Sequence, residues 1–383
     1  MSTTAPQGFS AAGVAAGLKS SGDPDVALVL NTGPDDVAAA VFTTNRFPAA
    51  PVIWSRQVLA GQRCRAVVLN SGGANACTGP EGFADTHRTA EHVAEELGIG
   101  AIDVAVASTG LIGVRLPMEQ LTAGVTAAAQ ALSGEGGADA ARAIMTTDSV
   151  PKTTVHRGEG WTVGGMAKGA GMLAPSLATM LVVLTTDAVA EPDVLQRALA
   201  AATRVSFERV DSDGCLSTND TVLVLANGAS GATPDEQELT AALTAACTDL
   251  AMQLLADAEG STKDIAITVR NAATVDDALT AGRACARNNL LKTALFGNDP
   301  NWGRVLAAIG TTDAAFEADQ VDVTINGVTV CRGGAIGDPR EGVDLTGWAI
   351  TIDVDLRAGT EQATIWTNDL SIAYVHENSA YST

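Results

Sequence analysis

Residues 168–181 read KGAGMLAPSLATML and run straight into VVLTTDA at 182–188. Lys168 is the single charge in the first fourteen of these residues. Gly169, Gly171 and Pro175 make the opening half rich in turns. From Met180 to Leu184 the chain is apolar and partly β-branched, the pattern of a strand buried on both faces. A threonine at its mouth, Thr179, has a structural explanation, because a β-branched side chain favours strands. A chemical explanation competes with it. A hydroxyl is a weak nucleophile until a base takes its proton. No histidine stands at a triad-like position: His87 and His92 fall on a helix, His156 in a loop and His376 near the tail. Cleavage after the small Ala178 would give Thr179 its own base, since an α-amine titrates at about 7.7–8.0 and lies within reach of the same residue's hydroxyl.

Outward from that strand the pattern is mixed α/β. Short β-branched runs at 26–31, 38–43, 66–70, 102–109, 180–185 and 221–226 read as strands. Helices are expected over 81–97, 118–132, 138–145, 191–203 and 235–258. The first of them puts Phe83, His87, Val93 and Leu97 near one face and is closed by Gly98. Buried strands alternating with helices predict a layered sandwich. The pattern restarts after residue 260 with a strand (DIAITVRN), one helix over 274–291 and several strands, with a two-residue hairpin at Asn326-Gly327. Two domains are therefore expected, a catalytic sandwich over 1–260 and a smaller α/β domain over 261–383.

The 383 residues are 46% hydrophobic but only 4% aromatic, so the core must be built from Ala, Val, Leu and Ile. A net charge of −21 disfavours nucleic acid or an anionic membrane as partner, because both would repel this surface. The six cysteines form no C-x-x-C pair and have no histidine at metal-ligand spacing, which argues for buried thiols rather than disulfides or zinc. The N-terminus lacks the basic and apolar succession of a signal peptide, and no apolar run reaches the ~18 residues of a membrane helix. A reduced, cytoplasmic protein is expected. NDPNWGR (298–304) lacks phosphate-loop spacing, and Asp211, Asp213 and Asp220 read as capping residues rather than metal ligands. Neither a metal nor a cofactor is implied.

KGAGMLAPSLATML resembles the cleavage motif of the ornithine acetyltransferases, a self-cleaving glutamate N-acetyltransferase family. Other blocks resemble the same family in the same order: FTTNRFPAAPV (42–52), NSGGANACTG (70–79), ASTGLIG (107–113), MTTDSVPK (145–152), DSDGCLSTND (211–220), GNDPNWGR (297–304) and HENSAYST (376–383). The resemblance implies an αββα sandwich like that of the N-terminal-nucleophile hydrolases. It implies cleavage between Ala178 and Thr179 into chains 1–178 and 179–383, with Thr179 then carrying the acetyl group. Thr109 and Gly110 match the family's oxyanion pair. Thr147, Lys168, Thr179, Glu259, Asn378 and Thr383 match its substrate contacts, with Thr146 adjacent as the alternative to Thr147. The implied substrates are N2-acetylornithine and glutamate, and the implied assembly is a heterotetramer of two chains of each kind. Two features independent of the family bear on these positions. Lys168 is one of only five lysines, and Glu259 is read as ending a helix, where a carboxylate meets an unfavourable dipole. A self-cleaving amidase or aminopeptidase of the same architecture is the alternative function.

Overall fold

A computed structural model describes the chain over residues 2–174 and 180–380. In chain order its first half comprises β1 (Phe9–Val14), β2 (Val26–Asn31), β3 (Val37–Phe42), α1 (Ala50–Leu59), β4 (Ala66–Asn70), α2 (Gly79–Leu97), β5 (Val104–Ser108), α3 (Met118–Ala131), α4 (Gly137–Ala143), β6 (Lys152–Arg157), β7 (Thr162–Lys168), β8 (Leu181–Thr186), α5 (Pro192–Val205), β9 (Thr221–Ala226) and α6 (Glu236–Ala256). The second half adds β10 (Asp264–Ala272), α7 (Val275–Ala286), α8 (Asn289–Phe296), α9 (Trp302–Ile309), β11 (Asp322–Ile325), β12 (Val328–Arg332), β13 (Ala335–Ile336), β14 (Ala349–Asp355), β15 (Glu361–Asn368) and α10 (Ile372–Ala380).

Two sheets make the first half. One has the order β1-β2-β4-β5 and the other β3-β9-β8-β7-β6. Strand alternation shows how they stack. In β8, Leu181 and Val183 join the core shared with β2, β4 and β5, while Val182 and Leu184 join the core under α5 and α6. Leu223 and Leu225 of β9 divide from Val222 and Val224 in the same way. Because both faces of these strands are buried, their sequences are continuous apolar runs rather than alternating ones. With α2 and α3 packed on the first sheet, the layers run α, β, β, α, as the resemblance implied.

By length and composition α6 would suit a membrane span, with a mean hydropathy of 1.4 over its best window, where no membrane helix is expected from the sequence. Here its Leu239, Leu243, Leu250 and Leu254 pack in the core under the second sheet. Asp235 caps its N-terminus, accepting the Glu238 N–H at 2.8 Å while the Glu238 carboxylate accepts the Asp235 N–H at 3.0 Å.

Residues from 264 to 368 form a third sheet, β13-β12-β11-β14-β10-β15, with a core of its own that includes Ile265, Ile267, Cys285, Val323, Ile352 and Ile365. The turn at Asn326-Gly327 has both residues at positive φ, 43° and 83°, the geometry of a type I′ hairpin between β11 and β12. The helix expected over 274–291 is two helices. Asn288 interrupts it, and its side chain accepts the Leu291 N–H at 3.0 Å as the cap of α8. His156 lies in β6, not in a loop. His87 of α2 is exposed rather than part of the buried face, which is made by Asp85, Thr86, Thr89, Ala90, Val93 and Ala94.

Candidate active site

Both sheets of the sandwich open at one end onto a cavity of about 430 Å³. The C-terminal ends of β4, β5 and β7 and the N-terminal end of β9 reach it, and Glu259, beyond α6, and Asn378 of α10 close it. Thr109, Gly110, Thr147, Lys168, Glu259 and Asn378 all line this cavity, so six of the positions singled out in the sequence converge from five separate segments. Thr146 lines it too. Ala178, Thr179 and Thr383 lie outside the described residues. The β7–β8 register pairs Lys168 with Leu181, so the chain enters β8 two residues after Thr179, beside Lys168.

Lys168 is 2% exposed, and its Nζ donates to Thr109 Oγ1 at 2.9 Å. An ammonium can only donate. The Thr109 oxygen is therefore the acceptor, and its own proton remains to be given to another oxygen in the cavity. Burial pushes the Lys168 ammonium below the ordinary lysine range, while the Asp148 and Asp220 carboxyls pull it back up. Gly110 is required where it stands. Its φ is 128°, and a Cβ there would lie 2.8 Å from the Gly73 nitrogen. That close approach joins the end of β5 to the Gly72-Gly73 turn, which the Gly73 N–H bonds to the Thr109 carbonyl at 3.0 Å.

Asp148 anchors the base of the cavity. One carboxylate oxygen accepts from Lys152 Nζ at 2.6 Å and from the Gly169 N–H at 2.7 Å; the other accepts from the Thr146 N–H at 2.9 Å. Burial pushes this carboxyl up, but Lys168, Lys152 and the Gly169 N–H outweigh it and hold it below the usual carboxylate range. Lys152 also meets Asp257 at 2.6 Å. The turn carrying Thr146 and Thr147 and the start of the Gly169 loop are thus tied to one buried charge cluster.

Thr147 Oγ1 donates to Glu259 Oε1 at 2.6 Å, whereas Thr146 is tied through its backbone to Asp148. Glu259 does not sit in the last turn of α6, as the sequence suggested, but three residues beyond it. Its backbone N–H bonds to the Ala170 carbonyl at 3.0 Å. The next residue, Gly260, packs so tightly on α10 that a Cβ would lie 2.2 Å from the Tyr374 nitrogen. The tail therefore folds back over the cavity and brings Asn378 to its wall.

Asn219 and Asp220 complete the site from the start of β9. Asn219 Nδ2 donates to the Ala74 carbonyl at 2.6 Å and the Ser108 carbonyl at 2.7 Å, cross-linking the two sheets at the cavity rim. Asp220 accepts the Met180 N–H at 3.2 Å, and the Thr221 N–H bonds the Met180 carbonyl at 3.1 Å. Both backbone groups of the residue following Thr179 are held in this way. Burial drives the Asp220 carboxyl well above its ordinary range, against the opposing pull of the Met180 N–H, Ser217 and Lys168. A carboxyl whose folded pKa is raised stabilises the fold most at pH below its unfolded value and loses that advantage as pH climbs toward the folded one. Asp220→Asn does not titrate. Its stability relative to the parent should rise as pH climbs above the ordinary carboxylate range, by up to ~1.4 kcal/mol per pH unit. Thermal unfolding of both proteins from about pH 4 upward, at matched cleavage state, measures the slope; a flat difference contradicts the upward shift of this carboxyl.

A family model described as the ArgJ family matches residues 10–383. The chain belongs to the ArgJ family. It is 65% identical over 382 residues to an arginine biosynthesis bifunctional protein ArgJ of Streptomyces avermitilis, covering 100% of both chains. It is 62% identical over 383 residues to the protein of that name from Thermobifida fusca, again covering 100% of both. Among solved structures it is similar to the ornithine acetyltransferase of Mycobacterium tuberculosis complexed with ornithine, at 61% identity, covering 47% of this chain and 96% of that one, with a TM-score of 0.45. As an ArgJ protein the chain is an acyltransferase of arginine biosynthesis.

Sequence reasoning overlooked part of this ArgJ site. Asp148 lies in MTTDSVPK and Asn219 in DSDGCLSTND, blocks noticed only for their resemblance. Asp220, expected as a capping residue, has a longer reach. It does accept a backbone N–H, but from forty residues away rather than from its own turn. Of its companions, Asp211 pairs with Arg287 at 2.8 Å, and Asp213 accepts the Leu173 N–H at 3.1 Å, anchoring the backbone that follows Gly171.

Proposed function

We propose that this chain moves an acetyl group from N2-acetylornithine to glutamate through an ester on Thr179, after cutting itself between Ala178 and Thr179. The observation that carries the reading is the buried Lys168–Thr109 hydrogen bond at 2.9 Å, in a cavity that also holds Glu259, beside the strand that Thr179 leads into. In the cleavage step the Thr179 hydroxyl attacks the Ala178 carbonyl, and the acyl group moves from nitrogen to oxygen. Water then splits that ester, leaving the Ala178 carboxylate and a free Thr179 amine.

In transfer, that amine takes the hydroxyl proton as Thr179 Oγ attacks the acetyl carbonyl of the donor. The tetrahedral oxyanion receives hydrogen bonds from the Thr109 hydroxyl and the Gly110 N–H. The proton passes to the departing α-amine of ornithine, and the acetyl ester remains on Thr179. Glutamate's α-amine attacks the ester and returns the proton to Thr179. Amide becomes ester and then amide, so the exchange is nearly balanced and needs no external energy source. Water must be kept off the ester, a role suited to α10. We further propose two domains, 1–260 and 261–383, a heterotetramer of two chains 1–178 and two chains 179–383, and a cytoplasmic location.

The direct test is the intact mass of the purified protein with and without N-acetylornithine. A fragment beginning at Thr179 should appear and gain one acetyl group with the donor. Adding glutamate should release acetylglutamate; release of acetate whatever amine is supplied would support an amidase instead. Glu259, joined to Thr147, is assigned to the side-chain ammonium of ornithine. Glu259→Gln should raise KM for N-acetylornithine by about tenfold or more while disturbing cleavage less. An equal loss of both, read from initial rates and from a denaturing gel, would remove that assignment.

A further inference from the structure

Lys152, Lys168, Lys263 and Lys292 are all buried. Each donates to a carboxylate, carbonyl, hydroxyl or amide oxygen inside the protein. The fifth lysine, Lys19, is half-buried and lines the active-site cavity next to Ser20 and Ser21. This chain therefore leaves no lysine as a plain solvated cation.

The loop that carries Lys19 is firmly built. The buried Asp25 carboxylate accepts three backbone donors from it, the N–H groups of Ala16 at 2.6 Å, Leu18 at 2.6 Å and Lys19 at 3.0 Å. Leu18 lies against Gly72 so closely that a Cβ at that glycine would stand 2.2 Å from the Leu18 Cβ. The ammonium itself donates to the Pro24 carbonyl at 2.8 Å, its one hydrogen bond among the described residues. An ammonium has three protons to give, so two remain for a ligand.

Charge in the cavity makes the case. Lys19 and Lys168 are the cations among the described lining residues, and Glu259 is the carboxylate. Lys168 is buried against Thr109 and beside Asp148. Glu259 suits a substrate carrying an ammonium on its side chain and repels one carrying a second carboxylate. A dicarboxylate acceptor needs a further cation on another wall. We propose that Lys19 is a specificity-determining residue that holds the side-chain carboxylate of the acetyl acceptor, with the hydroxyls of Ser20 and Ser21 beside it. The inference rests on the reading of glutamate as acceptor.

The test compares the two half-reactions in Lys19→Gln and the parent. Lys19→Gln should slow deacylation by glutamate about tenfold or more beyond any change in acylation by N-acetylornithine, the value of one charge-assisted hydrogen bond. The preference for glutamate over glutamine as acceptor should narrow by a similar factor, and Lys19→Arg should restore part of it. Equal slowing of both half-reactions, or an unchanged preference, overturns the proposal. Should Lys19→Gln fail to mature, the parent alone still decides. A parent enzyme that uses glutamine as readily as glutamate does not read the side-chain carboxylate, which overturns the proposal. Failure of the parent to make any acetylglutamate would instead overturn the proposed reaction itself.

Discussion

Thr179→Ala is expected to leave one uncut chain near 38.8 kDa and to lower acetyl transfer by at least about 10⁴-fold. The proposed mechanism gives one residue two roles, a hydroxyl that attacks and an amine that serves as base. Alanine at 179 has no hydroxyl to break the Ala178 peptide bond, so the amine is never freed, and no oxygen is present to carry an acetyl ester. The loss should be nearly complete because nucleophile and base vanish together. Thr179→Ser keeps both groups and should keep cleavage and a substantial part of the activity. A denaturing gel and an acetylglutamate assay read both outcomes. An uncut Thr179→Ala protein that still transfers acetyl groups would remove the basis of the mechanism.

Thr109→Val is the second large effect. Valine fills the space of threonine and removes only the hydroxyl. That hydroxyl accepts from Lys168 and has its own proton available for the oxyanion. Losing one aimed donor should lower kcat by about 10²–10³-fold and leave KM for N-acetylornithine little changed, because the charge on oxygen exists only in the transition state. The substitution also strips a buried ammonium of its partner, a cost of about 1–3 kcal/mol in stability. Thr109→Ser separates the two consequences, since it restores the hydroxyl and should recover most of kcat. If cleavage uses the same oxyanion donors, maturation of Thr109→Val will be slow as well, so kinetics belong on material shown by mass to be cut. An unchanged kcat in such material would exclude Thr109 from the reaction.

Individual segments were legible to different degrees. Residues 180–185 could be read as a strand buried on both faces because the five successive apolar side chains from Met180 to Leu184 leave no polar face to expose. Asn326-Gly327 announced its hairpin because few other pairs reach positive φ at both positions. The break at Asn288 was missed because helical periodicity runs across it; only the side chain's bond to the Leu291 N–H marks a new start. Glu259 was given to the wrong turn because the end of α6 is set at Asp257, whose carboxylate is drawn to Lys152 from a different strand.

Alone, the amino-acid order determined the alternation of strands and helices, the apolar strands of the core and the small set of residues able to do acyl-transfer chemistry. The strands and helices follow from local periodicity; Thr179 and Lys168 stand out by the chemistry of their side chains, and the other candidate residues by their resemblance to the family's motifs. Tertiary structure decided which of those residues meet. It brought the end of β5 to the end of β7, turned α10 back onto Gly260, and buried four of five lysines among partners as far as 105 residues away. A buried charge is tolerable only where oxygen atoms from elsewhere in the chain surround it. That condition is set by packing in three dimensions, and no local stretch of sequence displays it.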